Sequence, residues 1–419
     1  MKIKPTSEKA KSASKVSSRS HLGERVPRLR FPGFGGEWKF VPFGSIIRET
    51  NLRTNIENED ILLSAAIEGM FLNSELFDHQ RGASNKGYKK IKLRTLVLST
   101  QNLHLGNANV NLRFEHGIVS PAYKTYEVVG CDPVLLGQWV KTGKAKKFFF
   151  DATTVGASVC RRNVEWDTLY QQQLCLPTEN EQHKLADFLS LLTDRISSQQ
   201  RLVELLKKHK RGVIEQIFGR RLDMGKDAEK WDIVELRDLF SKVARRNRDG
   251  KVKNVITNSA EFGLIPQRDF FDKSIAVDGN TDGYYVIRTG DFVYNPRKST
   301  AAPFGPFNRY MGKEDGIISP LYTCLVPKGK ANAEYLAWYF RSTAWNRYVY
   351  DNGSQGARHD RVNMTDDLLF GIPVLLPPIA VQERIANGLN AIDARWSSAN
   401  KVLAHLEKMK RGLLQQLFA

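Results

Sequence analysis

The chain is poor in cysteine: four residues in 419, at positions 131, 160, 175 and 324, with no C-x-x-C pair among them. That spacing argues against a disulfide framework and a zinc ribbon, and fits a reducing, cytoplasmic setting. No apolar run approaches the ~18–20 residues needed to cross a bilayer. The basic, Ser-rich N-terminus lacks the apolar core of a secretory signal. The eight histidines are scattered without ligand spacing. Acidic residues are in deficit as well, 45 against 63 Lys and Arg, which leaves a formal net charge of +18. An excess of that size calls for a polyanionic partner, nucleic acid first.

Catalytic patterns are missing too. Phe31-x-Gly33-x-Gly35 matches the letters of an adenosylmethionine-binding loop, but no strand precedes it. The only Pro-Pro, in Leu376-Pro377-Pro378-Ile379, lacks the amide before and the aromatic after that would hold a flipped adenine. No Pro is followed by Asp, so a Pro-Asp nuclease site cannot be drawn, and Glu37-Trp38-Lys39 stands alone. Gly137 to Gly143-Lys144 resembles a phosphate loop but carries Ala145 where a hydroxyl would meet magnesium. No catalytic residue, metal ligand or cofactor site is therefore expected.

What the chain does contain is a repeat. Residues 176–218 align without gaps on 376–418, with 15 identities in 43 pairs. Gly117-Ile118-Val119-Ser120-Pro121-Ala122-Tyr123 returns as Gly316-Ile317-Ile318-Ser319-Pro320-Leu321-Tyr322, and Glu37-Trp38-Lys39-Phe40-Val41 matches Lys230-Trp231-Asp232-Ile233-Val234. A period near 200 residues is too long for one layer of a solenoid, so each copy is a domain plus a connector.

The connectors follow a helical period. Positions 185, 189, 192, 196, 199, 203, 206, 210, 213 and 217, with the same positions 200 residues on, are apolar in seventeen of twenty cases. That is the 3.5-residue spacing of a coiled coil. The pairing residues are Leu185, Leu189, Leu192, Ile196, Val203 and Leu206 against Ile385, Leu389, Ile392, Trp396, Leu403 and Leu406. Gln199 is a polar seam residue able to fix register. Thirty-three residues give a rod of roughly 50 Å, and the two rods are expected to pair antiparallel. Phe188, Leu191, Leu202, Leu205 and Ile214 exceed what one seam uses and would offer surface to partners.

The organisation is thus a basic disordered arm (1–30), a first domain (31–175), a central helical connector (176–222), a second domain (223–375) and a C-terminal connector (376–419). The fold class is α/β (α+β), with two mixed domains, two long antiparallel helices and an internal pseudo-two-fold. Strands are expected over Leu93–Leu98, Tyr123–Val129, Tyr284–Ile287 and Asp291–Tyr294, with helices over Pro133–Lys141 and Glu334–Asn346. Phosphate-contacting candidates are Lys86, Lys89 and Lys90 (with Lys92 and Arg94), then Arg245, Arg246 and Arg248, then Arg297, Lys298 and Arg361. Gln101, Asn102, His104, Asn107, Asn109 and Asn111 offer groups for adenine edges, and Arg297 and Arg358 for guanine. Ser158 and Gln355 lie in Gly-containing loops at matching repeat positions.

Two unlike domains alternating with two near-identical helical connectors form a known arrangement. Each connector opens Leu-Pro…Gln (Gln182, Gln382) and closes Lys-Arg-Gly…Gln-x-Phe, and Arg30-Phe31-Pro32-Gly33-Phe34-x-Gly36-Glu37-Trp38 precedes the first domain. The chain resembles the specificity subunit of type I restriction–modification systems. The first connector departs from the second at Thr178-Glu179-Asn180, where the second has Pro378-Ile379-Ala380. The resemblance implies a non-catalytic, cytoplasmic DNA-recognition subunit whose domains each read half of a split, asymmetric site. It implies that the helices set the spacer and dock two modification subunits and the restriction subunits. S-adenosylmethionine, ATP and Mg2+ would belong to those partners and not to this chain. The other expectation is a basic coiled-coil regulator or DNA organiser that dimerises through its helices and acts without enzyme partners.

Overall fold

A computed structural model describes residues 26–77, 84–158, 161–219, 231–269, 281–354 and 360–418, without the side chains of 156–158, 161 and 269. Residues 1–25 of the expected arm, Cys160, Gln355, Arg358 and His359 lie outside the described residues. The chain divides into two compact units: Met1–Gln199 with Val402–Ala419, and Gln200–Lys401.

In the first unit an antiparallel sheet runs in the order Ile47–Thr50, Tyr123–Val128, Thr95–Ser99, Ala108–Val110. Successive side chains of a strand point to opposite faces, and here both faces are used. Leu96 and Leu98 enter a core with Tyr126, Leu135, Trp139 and Phe149, whereas Val97 enters a second cluster with Leu63, Met70 and Ile91. The expected strand Leu93–Leu98 is interrupted. A turn separates Lys89–Lys92 from Thr95–Ser99, and Arg94 takes a positive φ of 70° there.

The second unit repeats the plan. Its sheet runs Phe240–Lys242, Thr323–Pro327, Phe292–Tyr294, Phe307–Arg309. Phe292 and Tyr294 enter a core dense in aromatics, in which the Phe307 and Phe340 rings stack at 4.0 Å, and Val293 enters the opposite cluster with Ile256 and Ile318. The helix expected over Glu334–Asn346 runs only from Ala333 to Phe340, and a separate helix spans Asn346–Asn352.

The repeated glycine has a steric cause. A Cβ on Gly117 would stand 2.5 Å from Leu63 Cδ1, and one on Gly316 would stand 2.4 Å from Ile256 Cγ1. The serine that follows builds the same turn twice, with Tyr123 N donating to Ser120 O and Tyr322 N to Ser319 O, both at 3.1 Å.

The connectors are helices of 40 residues, Glu179–Phe218, and 39 residues, Ile379–Leu417. At about 1.5 Å per residue each is roughly 60 Å long, longer than the seam alone indicated. No position of the twenty-residue seam is exposed. Within the first unit Lys410 Nζ donates to Thr193 Oγ1 at 2.8 Å. Within the second, Lys210 Nζ donates to Asp393 Oδ1 at 2.7 Å and lies 4.2 Å from the Trp396 ring. In the first unit Leu185 and Leu189, before Thr193, share a core with Leu417 and Phe418, after Lys410, and in the second Ile214 and Phe218, after Lys210, share one with Ile385 and Leu389, before Asp393, so the pairing within each unit is antiparallel. The helices pair with each other inside one chain, and the regulator reading required a second copy.

Gln182 and Gln382 join each helix to its domain in the same way. Their side-chain NH2 groups donate to Pro177 O at 3.0 Å and Pro377 O at 2.7 Å. Their carbonyls accept from Asp132 N and Asn332 N, both at 2.8 Å. Asp132 and Asn332 in turn cap the helices Pro133–Trp139 and Ala333–Phe340.

The last residues of the expected arm are part of the first unit. Arg30 forks onto the buried Glu181, Nε to Oε1 at 2.7 Å and Nη2 to Oε2 at 2.6 Å, and also bonds Gly35 O and Gly36 O. The glycine-rich segment that mimics a cofactor loop is held by this clamp. Phe188 and Ile214, expected as partner surface, are taken up in the two cores; Leu191, Leu202 and Leu205 stay exposed.

Candidate nucleic-acid interface

In the second unit a short ladder forms beyond the strand Phe292–Tyr294. Lys298 N donates to Asp360 O at 2.8 Å and Val362 N to Pro296 O at 2.9 Å, which sets Arg297 opposite Arg361. The Asn295 side-chain carbonyl accepts Arg297 N at 3.0 Å and so fixes the start of the turn. Next to this ladder Ser354 and Asn363 exchange backbone bonds of 3.0 and 3.1 Å, bracketing residues 355–359. Two clusters distant in sequence, 297–298 and 361, thereby become one cationic surface. The Asp360 carboxylate lies 3.6 Å from Arg297 Nε. The buried Arg361 Nε has no acceptor among the described residues. Burial raises the Tyr322 phenol, while the Arg297 and Arg361 charges pull it down.

The first unit builds the corresponding place from different residues. Leu98 faces Lys124 and Tyr294 faces Thr323, each partner one residue beyond the repeated tyrosine. Counting three residues on, Gln101 matches Arg297 and Asn102 matches Lys298. Gln101 and Asn102 are exposed, while Leu103 and His104 turn inward. Gly106 then takes a φ of 93°, and a Cβ there would stand 3.7 Å from Lys146 Cγ, on the helix Gly143–Asp151. The hairpin of Thr153–Ser158 and Arg161–Val164 follows that helix, and Arg162 donates to Thr153 Oγ1 and Thr153 O, both at 2.7 Å.

Several expected contact residues are committed to the fold instead. Asn107 donates to Ala65 O at 3.1 Å, Asn109 to Ala66 O at 2.9 Å, and Asn111 to Lys92 O and Phe114 O at 3.1 and 2.7 Å. All three are buried, so their amides close backbone carbonyls and are not free for adenine edges. The second unit does the same with Asn308, which donates to Ser259 O at 3.1 Å. His104 is buried; burial first, then Arg162 and Lys146, lower its pKa and favour the neutral ring. Lys89 is buried in its strand, with its pKa lowered by that burial. Arg245 pairs with the buried Asp291, and Lys90 with Glu59.

Lys86 and Arg248 are exposed. Arg246 lies 3.7 Å over the Tyr285 ring and donates to its hydroxyl at 2.8 Å. Ser158 closes the hairpin opposite Arg161. Residues not singled out from the sequence join the first unit's site: Lys146 and Lys147, exposed on a helix first considered only as a failed phosphate loop, and Arg162. Their signal was the run Lys144-Ala145-Lys146-Lys147, which carries three cations in one turn. Forked guanidiniums and exposed amides are the groups that hydrogen-bond phosphates and base edges.

No protein-family model matches the chain. It is 25% identical over 292 residues to a protein of Methanocaldococcus jannaschii named as the type I restriction enzyme MjaX specificity subunit. That match takes in 62% of this chain and 62% of the relative, so the chain spans under two thirds of the length of the curated relative it matches. The fold is similar to that of the type I restriction–modification S subunit from M. genitalium, with TM-score 0.56 and 13% identity, covering 94% of this chain and 99% of that one. A chain solved in work on complex assembly and conformational transition of the type I restriction–modification system gives TM-score 0.52 and 16% identity, with 91% and 97% covered.

Proposed function

We propose that this chain is a DNA sequence-recognition subunit of a type I restriction–modification complex and carries no catalytic site of its own. The observation that carries this reading is the twice-built site. The same sheet, capped helix and helical connector recur, yet the positions beyond the equivalent strand hold exposed Gln101 and Asn102 in one copy and exposed Arg297 with half-buried Lys298 in the other. A duplicated scaffold with unlike polar tips suits two different short DNA words. Phosphate contacts would position each unit and base-edge contacts would specify sequence.

The paired helices set the unread spacer between the half-sites, and their exposed Leu191, Leu202 and Leu205 meet modification subunits. Those subunits supply adenine methylation with S-adenosylmethionine, and restriction subunits use ATP and Mg2+. The arrangement operates in the cytoplasm.

Mapping methylated adenines in cells that carry this chain with its partners tests the reading. A bipartite, asymmetric motif is expected. Exchange of residues 31–175 for the corresponding domain of a relative then alters one half of that motif. Change in both halves, or a palindromic motif, refutes it.

A further inference from the structure

We propose that Phe150 and Tyr350 are DNA-contacting aromatics, one in each unit, that press an apolar face onto the duplex beside the cationic loops. The inference rests on the recognition reading above and adds to it a contact of a different chemical kind.

The two rings occupy one register of the repeat. Ala145 and Phe149 are buried in the first unit, Trp345 and Val349 in the second. A helix turns by about 100° per residue, so position 150 or 350 swings off the buried line. The charge pairs flanking them also recur, Lys147 with Asp151 at 3.1 Å and Arg347 with Asp351 at 2.7 Å. Phe150 is 45% exposed and Tyr350 68%. A single exposed aromatic is ordinary. Two at equivalent positions of the repeat need a reason.

Their surroundings point to nucleic acid. The Arg162 guanidinium lies 4.2 Å from the Phe150 ring centre, pinned there by its two bonds to Thr153. Arg347 lies 5.7 Å from the Tyr350 ring, which also meets Phe304 edge-on at 6.5 Å. Phe304 belongs to the loop that begins with Arg297 and Lys298. Gly106, which ends the Gln101–Asn102 turn, packs against the same helix that bears Phe150. Each aromatic therefore adjoins the loop already assigned to DNA and sits among cations. An apolar protein partner would desolvate those charged groups without offering them anything in return, whereas DNA offers phosphates to the cations and a sugar or base step to the ring.

The test uses the full chain and a duplex carrying its methylation-mapped site, with binding followed by fluorescence anisotropy across a salt series. Phe150→Ala and Tyr350→Ala should each weaken specific binding about 10- to 150-fold, the effect of losing one aromatic side chain buried in the interface. The slope of log affinity against log salt should stay unchanged, because no phosphate contact is lost. Phe150→Tyr should restore affinity, and melting temperatures should match the parent. Lys147→Gln, by contrast, should lower the slope by about one.

Unchanged affinity in both alanine variants would overturn the inference, as would a reduced slope, since the ring would then only hold its arginine. So would an unchanged DNA affinity with lost retention of the modification subunit. If the parent chain itself shows no preference for its mapped site, the recognition reading fails first.

Discussion

Lys210 and Asp393 form an ion pair across the helix seam, and the position equivalent to Asp393 beside Lys410 is Thr193, 2.8 Å from its ammonium. The repeat thus places one lysine twice in a buried seam but gives it a carboxylate once. Burial lowers the pKa of Lys410.

Thr193→Asp should convert the second site into the first. In the parent, the unfolded lysine titrates near 10.5 and the folded one lower. Lys410 therefore costs no stability above that unfolded value. The cost grows as pH falls through the folded pKa and is constant below it. With the new carboxylate in place the folded pKa should rise back toward the unfolded value of 10.5, so that the cost shrinks and the pH dependence flattens. Denaturant titrations at pH 8 to 11 measure this. Asp393→Thr should destabilise by about 1–3 kcal/mol at neutral pH by leaving Lys210 without its carboxylate.

Arg30→Ala should be among the most damaging single changes in the first unit. Glu181 is 1% exposed and would lose both guanidinium bonds. Stranding a buried charge costs about 3–5 kcal/mol. Arg30→Ala with Glu181→Leu should recover much of that loss, since apolar Val381 stands at the equivalent place in the second unit. Chemical denaturation of the two variants separates the cases.

Gln182→Ala and Gln382→Ala each remove a donor and an acceptor at a helix–domain joint. A loss of about 1–3 kcal/mol is expected for each. Because the joints are built alike, the two losses should agree within about 1 kcal/mol. Hydrogen exchange should show the Asp132 or Asn332 amide of the altered joint deprotected, and the other joint unchanged.

Arg297→Ala should relax base preference in the second half-site by about 1–3 kcal/mol and leave the first untouched. Gln101→Ala should do the reverse. Asn109→Ala should leave preference unaltered and lower the melting temperature, because its amide serves Ala66 O and not solvent. Competition binding with half-site variants distinguishes them.

The helices were legible in the sequence because a seam imposes a period that survives any choice of apolar residue; all twenty positions read from it are shielded. The repeated glycine and tyrosine were legible as a repeat but not as a cause, since Leu63 and Ile256 are brought to the glycines only by the fold. The polar loops misled. An asparagine that closes a carbonyl and one that faces water look alike in sequence, so Asn107, Asn109 and Asn111 passed for readers when they are ties. The turn at Arg94 was hidden because nothing but φ distinguishes it from a strand residue. Arg297 and Arg361 are 64 residues apart in sequence, and only the ladder shows that they form one surface.

The first unit closes its core with Leu417 and Phe418, and Trp38 meets Phe418 at 6.4 Å. The second unit is complete at Lys401. During translation the half synthesised first must therefore wait for residues 402–418 to leave the ribosome, while the half synthesised later can settle ahead of it. Until then Trp38 and Leu189 lack part of their cover, and apolar surface left open in this way is what chaperones shield.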